Sequence, residues 1–138
     1  MKLRALSSTA ASFPTLEVEY EDLLPLQYRT DGRGLDGTID CIGIVLEVYR
    51  RAGIDLPDPR VAGASIWEFT ELFDVVTEPL QLYDIISVRR EGHHVETLVR
   101  IGTTLSARAK VGVYSQPLKR ALRLEGVTAY RVRAEFLP

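Results

Sequence analysis

The chain has 138 residues, of which 46% are hydrophobic and 26% charged. These are the proportions of one globular domain with a packed core, and they exclude a disordered or fibrous protein. A single cysteine, Cys41, excludes an internal disulfide and a cysteine-rich zinc site. The net charge of −2 is uneven, because residues 1–99 carry 9 basic and 17 acidic residues and residues 100–138 carry 8 and 2. The basic residues of the last segment alternate with strand-like apolar positions, so we interpret them as solvated faces and expect no nucleic-acid partner.

The first 20 residues contain Ser, Thr and Pro without helical periodicity. They predict an extended N-terminal arm, 1–20, that ends in a short strand at 16–20. Polar residues interrupt the apolar run that a signal peptide needs, and no stretch reaches the length of a membrane span. We therefore expect folding in the cytoplasm without a membrane partner, and a single domain over 21–138.

A glycine-rich loop at 28–37 precedes a predicted helix. Asp40 is a favourable N-cap for this helix, and Gly53 provides its C-terminal stop. The apolar residues between them recur at helical spacing, at Ile42, Val45, Leu46 and Tyr49. A capping box at 65–68 predicts a second helix that runs to about residue 73.

The second half of the chain has the pattern of β-strands. Alternating and β-branched residues predict strands at 85–89, 93–101, 104–108 and 127–133. Turns are predicted at 91–92, at 102–103 and near 110–112, and a short helix at 117–123. Helices followed by hairpin-linked strands are typical of an α+β domain with an antiparallel sheet.

The glycine-rich loop also matches a nucleotide-binding pattern. Gly32, Gly34 and Gly37 form G-x-G-x-x-G before a helix, and Asp55 follows 18 residues later, where a ribose-binding acid is expected. A dinucleotide fold places that acid on a second parallel strand, whereas Asp55 lies in a short segment bounded by Gly and Pro. We therefore interpret the glycines as the basis of a tight turn and expect no cofactor.

Cys41 occupies the first turn of the predicted helix, directly after Asp40. An isolated cysteine is usually a small buried hydrophobe, and Cys41 shares a helix face with Val45 and Val48. At a helix start, however, unpaired N–H groups and the helix dipole favour a thiolate and direct donors toward a developing oxyanion. The residues alone leave both interpretations open.

His93 and His94 are the two histidines of the chain, and they lie at the start of a predicted strand. Adjacent strand residues point to opposite faces, and no third ligand lies at a useful spacing, so we expect no metal site. If the inward-facing histidine meets Cys41, the two form a thiol–imidazole couple. Composition and spacing do not decide whether they meet.

The run from Tyr28 to Pro57 resembles the nucleophile region of the NlpC-type cell-wall peptidases, especially the tail-associated branch found in phages. The family pattern is a Tyr, an Arg/Gly-rich loop, Asp-Cys-x-Gly and a closing Gly-Ile-x-Leu-Pro, matched here by Tyr28, Arg33-Gly34, Asp40-Cys41-Ile42-Gly43 and Gly53-Ile54-Asp55-Leu56-Pro57. Further along, Tyr83-Asp84 resembles the family's Gly-Asp strand start and His94-Val95 its His-Val strand. The family's third polar residue, expected 12 positions after the histidine, falls on Ser106.

The resemblance, which covers about residues 25–115, implies an α+β, papain-like fold with a nucleophile-bearing helix packed on an antiparallel sheet. It implies that Cys41 attacks a peptide carbonyl, that His94 acts as general base and acid, and that Ser106 orients the imidazole. Tyr28 and Asp40 are expected beside the substrate and its oxyanion.

Glu96 departs from the family pattern, because it stands where the family has glycine. It shares a strand face with His94, and it would either pair with the imidazolium or obstruct the groove. We expect Glu96 to modulate the site in one of these two ways.

The family's substrates are peptidoglycan stem peptides, cut at the bond between γ-D-glutamate and a diamino acid. A tail-associated member would open the bacterial wall during genome entry or help to assemble the tail tip, with other tail proteins as partners. It would lie in the cytoplasm before assembly and in the virion afterwards. Two alternatives stay open: a catalytically inactive structural component of the tail tip, and a thiol amidase or acyltransferase of the same fold.

Overall fold

The computed structural model describes residues 14, 16–59, 69–88, 94–124 and 126–137. Two short strands, β1 (Gln27–Tyr28) and β2 (Thr38–Ile39), precede helix α1 (Cys41–Arg51). The later elements are β3 (Phe73–Val75), β4 (Ile85–Val88), β5 (His94–Arg100), β6 (Thr103–Arg108), β7 (Gly112–Pro117), the short helix α2 (Leu118–Ala121) and β8 (Val127–Val132). Two 3-10 turns lie at Glu21–Leu23 and Ala134–Phe136.

The strands β3 to β8 form one antiparallel sheet in the order β3-β8-β4-β5-β6-β7. Strand β4 is buried on both faces, because Ile85 belongs to the main core whereas Ile86 packs in a smaller cluster with Val88 and Ala121 of α2. Helix α1 lies against β5 and β6. This packing of the Cys41 helix on an antiparallel sheet is the α+β arrangement predicted from the sequence.

Helix α1 begins and ends where the sequence predicts. The carboxylate of Asp40 accepts a hydrogen bond from the N–H of Gly43 at 2.7 Å, and Gly53 follows the helix with a left-handed φ of 87°. Its fully buried residues fall on one helical face and comprise Ile44, Val45, Val48 and Tyr49. No helix in the described ranges is long and apolar enough to cross a membrane.

Several predicted elements are confirmed, and the strands among them match to within one residue. The strands predicted at 104–108 and 127–133 are β6 and β8, and the short helix predicted at 117–123 contains α2. The strands predicted at 85–89 and 93–101 correspond to β4 and β5, although residues 89 and 93 lie outside the described residues. The predicted turn at 91–92 and the capping box at 65–68 also lie outside them.

The strand predicted at 16–20 is wrong, because that segment bonds to side chains instead of to a neighbouring strand. The carbonyl of Leu16 accepts from the Tyr83 hydroxyl at 2.5 Å, and the carbonyl of Val18 accepts from Arg100 at 2.8 Å. The described part of the predicted arm therefore lies against the domain.

Three further boundaries differ from the sequence prediction. The second helix does not continue to residue 73, because Phe73 begins β3 and pairs with Val132. Tyr28, predicted as loop, pairs with Ile39 between β1 and β2. Strand β7 was missed because it is a short edge strand with Val113 as its one buried residue, between the turn predicted near 110–112 and the helix predicted at 117–123.

At the turn before β4, this chain has Tyr83 where the NlpC-type motif has glycine. Its φ of 74° lies in the left-handed region, which glycine adopts without steric cost. The Tyr83 ring is buried and packs edge-on against Tyr49 at 6.0 Å, and its carbonyl accepts a hydrogen bond from the Tyr49 hydroxyl. The next residue, Asp84, is buried and accepts two hydrogen bonds at 2.9 Å from Arg131. Packing and this ion pair hold the strained turn in place.

The hydroxyl of Thr97 is buried and has no hydrogen-bond partner among the described residues. We expect Thr97→Val to raise the free energy of unfolding by about 1 kcal/mol, because a methyl group of similar shape replaces an unsatisfied polar group. Urea denaturation measures the change. Thr104→Val is the matched control and should lower stability, because the Thr104 hydroxyl donates to Glu96 at 2.6 Å. A loss of stability in Thr97→Val would contradict the expectation.

Candidate active site

Cys41 is the first residue of α1, and its surface is 8% exposed. Asp40, the preceding residue, fixes this helix start from both carboxylate oxygens. One oxygen accepts from the N–H of Gly43 at 2.7 Å and from Arg33 at 2.8 Å, and the other accepts from the N–H of Asp31 at 2.8 Å. The structure thus gives Asp40 a structural role in placing Cys41, and its predicted substrate role stays a prediction.

Arg33 joins the glycine-rich loop to the segment after α1. Its guanidinium donates to both carboxylate oxygens of Asp58 at 2.9 and 3.0 Å, in addition to its bond to Asp40. Desolvation lowers the pKa of Arg33, but the two carboxylates outweigh it and hold the pKa above its usual value. A bidentate pair of this kind orients the loop more firmly than a point charge does.

His94 begins β5, and its imidazole interacts with the side chain of Cys41. The Nε2 atom lies 3.0 Å from Oε2 of Glu96 and 2.7 Å from the hydroxyl oxygen of Tyr114. The imidazole also stacks on the Tyr114 ring, with centroids 6.2 Å apart and planes 12° from parallel. The fold therefore brings the predicted thiol and imidazole into contact.

The charge state of His94 follows from these neighbours. Desolvation lowers the pKa of His94, but hydrogen bonds and charge interactions with Cys41 and Glu96 outweigh it and raise the pKa to about 9. The imidazole is therefore protonated at neutral pH. A protonated imidazole beside a thiol is the partner that stabilises a thiolate.

Glu96 is buried beneath His94, with 1% of its surface exposed. Its carboxylate accepts hydrogen bonds from Thr104 at 2.6 Å, from Gln116 at 2.7 and 2.8 Å and from Tyr114 at 2.7 Å. Burial raises the pKa of Glu96, but the hydrogen bonds from His94 and the other three residues outweigh it and lower the pKa to about 2. The side chain pairs with the imidazole, which was the first of its two predicted roles.

Solved structures of one family share this fold. An NlpC/P60 family protein from Bacillus cereus matches 84% of this chain with a TM-score of 0.60 and 26% sequence identity, over 37% of its own length. A Staphylococcus aureus protein described as similar to a lipoprotein of the NLP/P60 family matches 92% of this chain with a TM-score of 0.57 and 20% identity, over 45% of its own length. The chain has the NlpC/P60 fold.

This fold confirms the predicted α+β, papain-like class. The chain spans less than half the length of either matched protein, at 37% and 45%. No protein-family model matches the sequence, and no curated protein matches it. The comparisons therefore support the NlpC type of fold that the motifs indicate, at the level of structure.

Two glycines allow the glycine-rich loop to pack closely on the start of α1. A Cβ atom on Gly43 would lie 2.5 Å from the carbonyl oxygen of Gly32 and 2.7 Å from the Ile39 side chain. A Cβ atom on Gly32 would lie 2.7 Å from the backbone nitrogen of Ile39. The loop backbone thus packs directly on the helix start, and the tight turn predicted from the G-x-G-x-x-G pattern is confirmed.

No hydrogen bond joins Ser106 to His94 among the described residues. Its hydroxyl donates to the carbonyl of Val95 at 2.6 Å, so its single proton is already used within the sheet. The positions that face Nε2 belong to Glu96 and Tyr114 instead. Sequence reasoning missed Tyr114 because it missed β7, and the pattern that would have revealed it is the alternation of Tyr114 and Gln116 along that strand.

Tyr28 lies on β1, opposite Ile39 and therefore next to the start of α1. It lines a cleft of about 360 Å³ between residues 24–28 and 110–112. This position agrees with a place beside the substrate, which stays a prediction. His93 lies outside the described residues, and no group of three potential metal ligands is present among the residues that are described.

Proposed function

We propose that this chain is a cysteine peptidase that hydrolyses peptidoglycan stem peptides. The observation that carries the proposal is the interaction of the His94 imidazole with the side chain of Cys41 at the start of a helix. A thiol, a basic imidazole and a helix N-terminus are together the parts that thiol-dependent acyl transfer needs.

The reaction follows from the positions of these groups. The Cys41 sulfur attacks the peptide carbonyl, and the His94 imidazolium gives its proton to the leaving amine as the C–N bond breaks. His94, now neutral, takes a proton from water while the hydroxide attacks the thioester. The acid product leaves, and the sulfur returns to the thiolate paired with the imidazolium.

Backbone donors of α1 fit the oxyanion of this reaction. The first N–H groups of a helix have no partner within the helix. Asp40 takes the N–H groups of Gly43 and Ile44, through its carboxylate and its carbonyl. The N–H groups of Cys41 and Ile42 are then the donors nearest to the attacking sulfur.

The finer substrate assignment rests on the motifs. The resemblance to NlpC-type peptidases supports cleavage between γ-D-glutamate and a diamino acid. Ile42 after the cysteine, where tail-type relatives often have an apolar residue, supports a tail-associated role. That role includes residence in the cytoplasm before assembly, presence in the virion afterwards and contact with other tail proteins.

Mass spectrometry of products from purified peptidoglycan tests the proposal. We expect the wild type to release fragments ending in γ-D-glutamate, and Cys41→Ala to release none, because the nucleophile is absent. Thr97→Val, which removes a hydroxyl without a hydrogen-bond partner among the described residues, is the control for substitution as such. Release of whole stem peptides from the sugar would indicate an amidase, and no release by wild type would indicate a structural tail component.

A further inference from the structure

We propose that Glu96 and Tyr114 are the residues that position the His94 imidazole, in the place that the motif gives to Ser106. The proposal rests on the proposed function of the site, and it adds the two residues that hold the general base, His94, in position. Both side chains contact Nε2, at 3.0 and 2.7 Å, whereas the Ser106 hydroxyl donates elsewhere.

The hydrogen-bond directions assign a proton to Nε2. The Tyr114 hydroxyl donates its proton to Oε2 of Glu96 at 2.7 Å, so toward His94 its oxygen acts as an acceptor. The Glu96 carboxylate is an acceptor as well. An imidazole nitrogen that faces two acceptors carries hydrogen, which leaves Nδ1 as the nitrogen that exchanges a proton with Cys41.

The carboxylate is held so that it cannot turn away. Thr104 on β6 and Gln116 on β7 both donate to Oε1 of Glu96, at 2.6 and 2.7 Å. Gln116 also donates to Oε2 at 2.8 Å, and this second oxygen faces His94 and Tyr114. Three adjacent strands therefore fix the imidazole plane, which a serine hydroxyl on a single strand would do less rigidly.

A buried carboxylate also changes the charge at the site. The charged and titratable groups around the imidazole are Cys41 from α1, Glu96 from its own strand and Tyr114 from β7. Arg108 of β6 lies over the Tyr114 ring at 5.1 Å. The Glu96 carboxylate keeps its negative charge whether or not the Cys41 sulfur has reacted. It therefore stabilises the imidazolium both before and after the attack.

The test follows the His94 titration by NMR and the rate of iodoacetamide alkylation of Cys41 from pH 5 to 10. In Glu96→Gln we expect the His94 titration to move to lower pH by about 1–3 units, because an adjacent opposite charge shifts a pKa by that amount. Alkylation near neutral pH should slow in parallel. Tyr114→Phe keeps the stacked ring and removes an acceptor, and it should shift the titration in the same direction by less.

Two further variants separate the explanations. Ser106 neighbours Tyr114 and makes no hydrogen bond to Nε2 among the described residues, so Ser106→Ala should shift the titration and the alkylation profile less than Tyr114→Phe does. A larger shift in Ser106→Ala than in Glu96→Gln and Tyr114→Phe would overturn the proposal. Thr97→Val is the control for substitution in β5, and thermal unfolding shows whether each variant is folded. Because iodoacetamide needs no peptide substrate, absence of peptidoglycan cleavage with the expected titration shifts would reject the proposed function and retain the positioning role.

Discussion

His94→Gln is expected to slow hydrolysis of peptidoglycan by about 10²–10⁴-fold, because it removes the group that takes and returns the proton. Gln retains an amide that can bond to Glu96, and the His94 side chain is 20% exposed, so the fold should tolerate the change. The rate of muropeptide release measures the loss. Cys41→Ala sets the background, and a His94→Gln variant with wild-type rate would contradict the assignment of His94.

The same variant has a second expected effect, on the pH dependence of stability. The pKa of His94 is raised from 6.5 to about 9, so its contribution to the free energy of unfolding is complete below about pH 6.5 and is lost as the pH rises through about 9. Glu96 acts in the opposite range, since its pKa is lowered from 4.5 to about 2 and its contribution is lost as the pH falls through about 2. Urea denaturation between pH 6 and 10 should show a decline in the wild type that is smaller in His94→Gln.

Gly43→Ala is expected to lower the free energy of unfolding by about 1–3 kcal/mol, although Gly→Ala within an unobstructed helix stabilises by about 1 kcal/mol. The reason is the new Cβ atom, which would lie 2.5 Å from the carbonyl oxygen of Gly32. Relief requires the start of α1 to move, which also displaces Cys41 from His94. We therefore expect slower alkylation of Cys41 near neutral pH together with the loss of stability, measured by denaturation and by iodoacetamide labelling.

Gly37→Ala provides the matched control in the same loop. Its φ is 84°, so alanine costs about 1–2 kcal/mol of backbone strain, but no atom lies within 4 Å of the new Cβ. Stability should fall while alkylation of Cys41 stays at the wild-type rate. If Gly43→Ala proves more stable than the wild type, the close packing of loop and helix is disproved.

Local sequence signals predicted helix α1 well, and also strands β5 and β6, against which it packs. Asp40, the apolar spacing and Gly53 act within a few residues of one another, so the chain sequence is sufficient to locate the helix. The edge strands β3 and β7 were missed for the opposite reason. Each has a single buried residue, so its apolar pattern is weak, and its pairing with β8 or β6 is what defines it.

The candidate site was also predicted in part. The motif resemblance named Cys41 and His94, and the fold brings their side chains close enough to interact. It named Ser106 for the third position by counting from His94, but counting cannot show where a hydroxyl donates. In the folded chain that hydroxyl bonds to Val95, and Glu96 faces the imidazole.

The sequence by itself determined the start of the Cys41 helix, the α+β class and the thiol and imidazole that the motif singles out, because caps, periodicity and motif spacing are encoded within short segments. The tertiary structure alone decided which side chains hold the imidazole. Tyr114 is 20 residues from His94 along the chain, and Gln116 is 20 residues from Glu96. Their meeting depends on the register of three strands around a buried carboxylate, which is a property of the folded sheet.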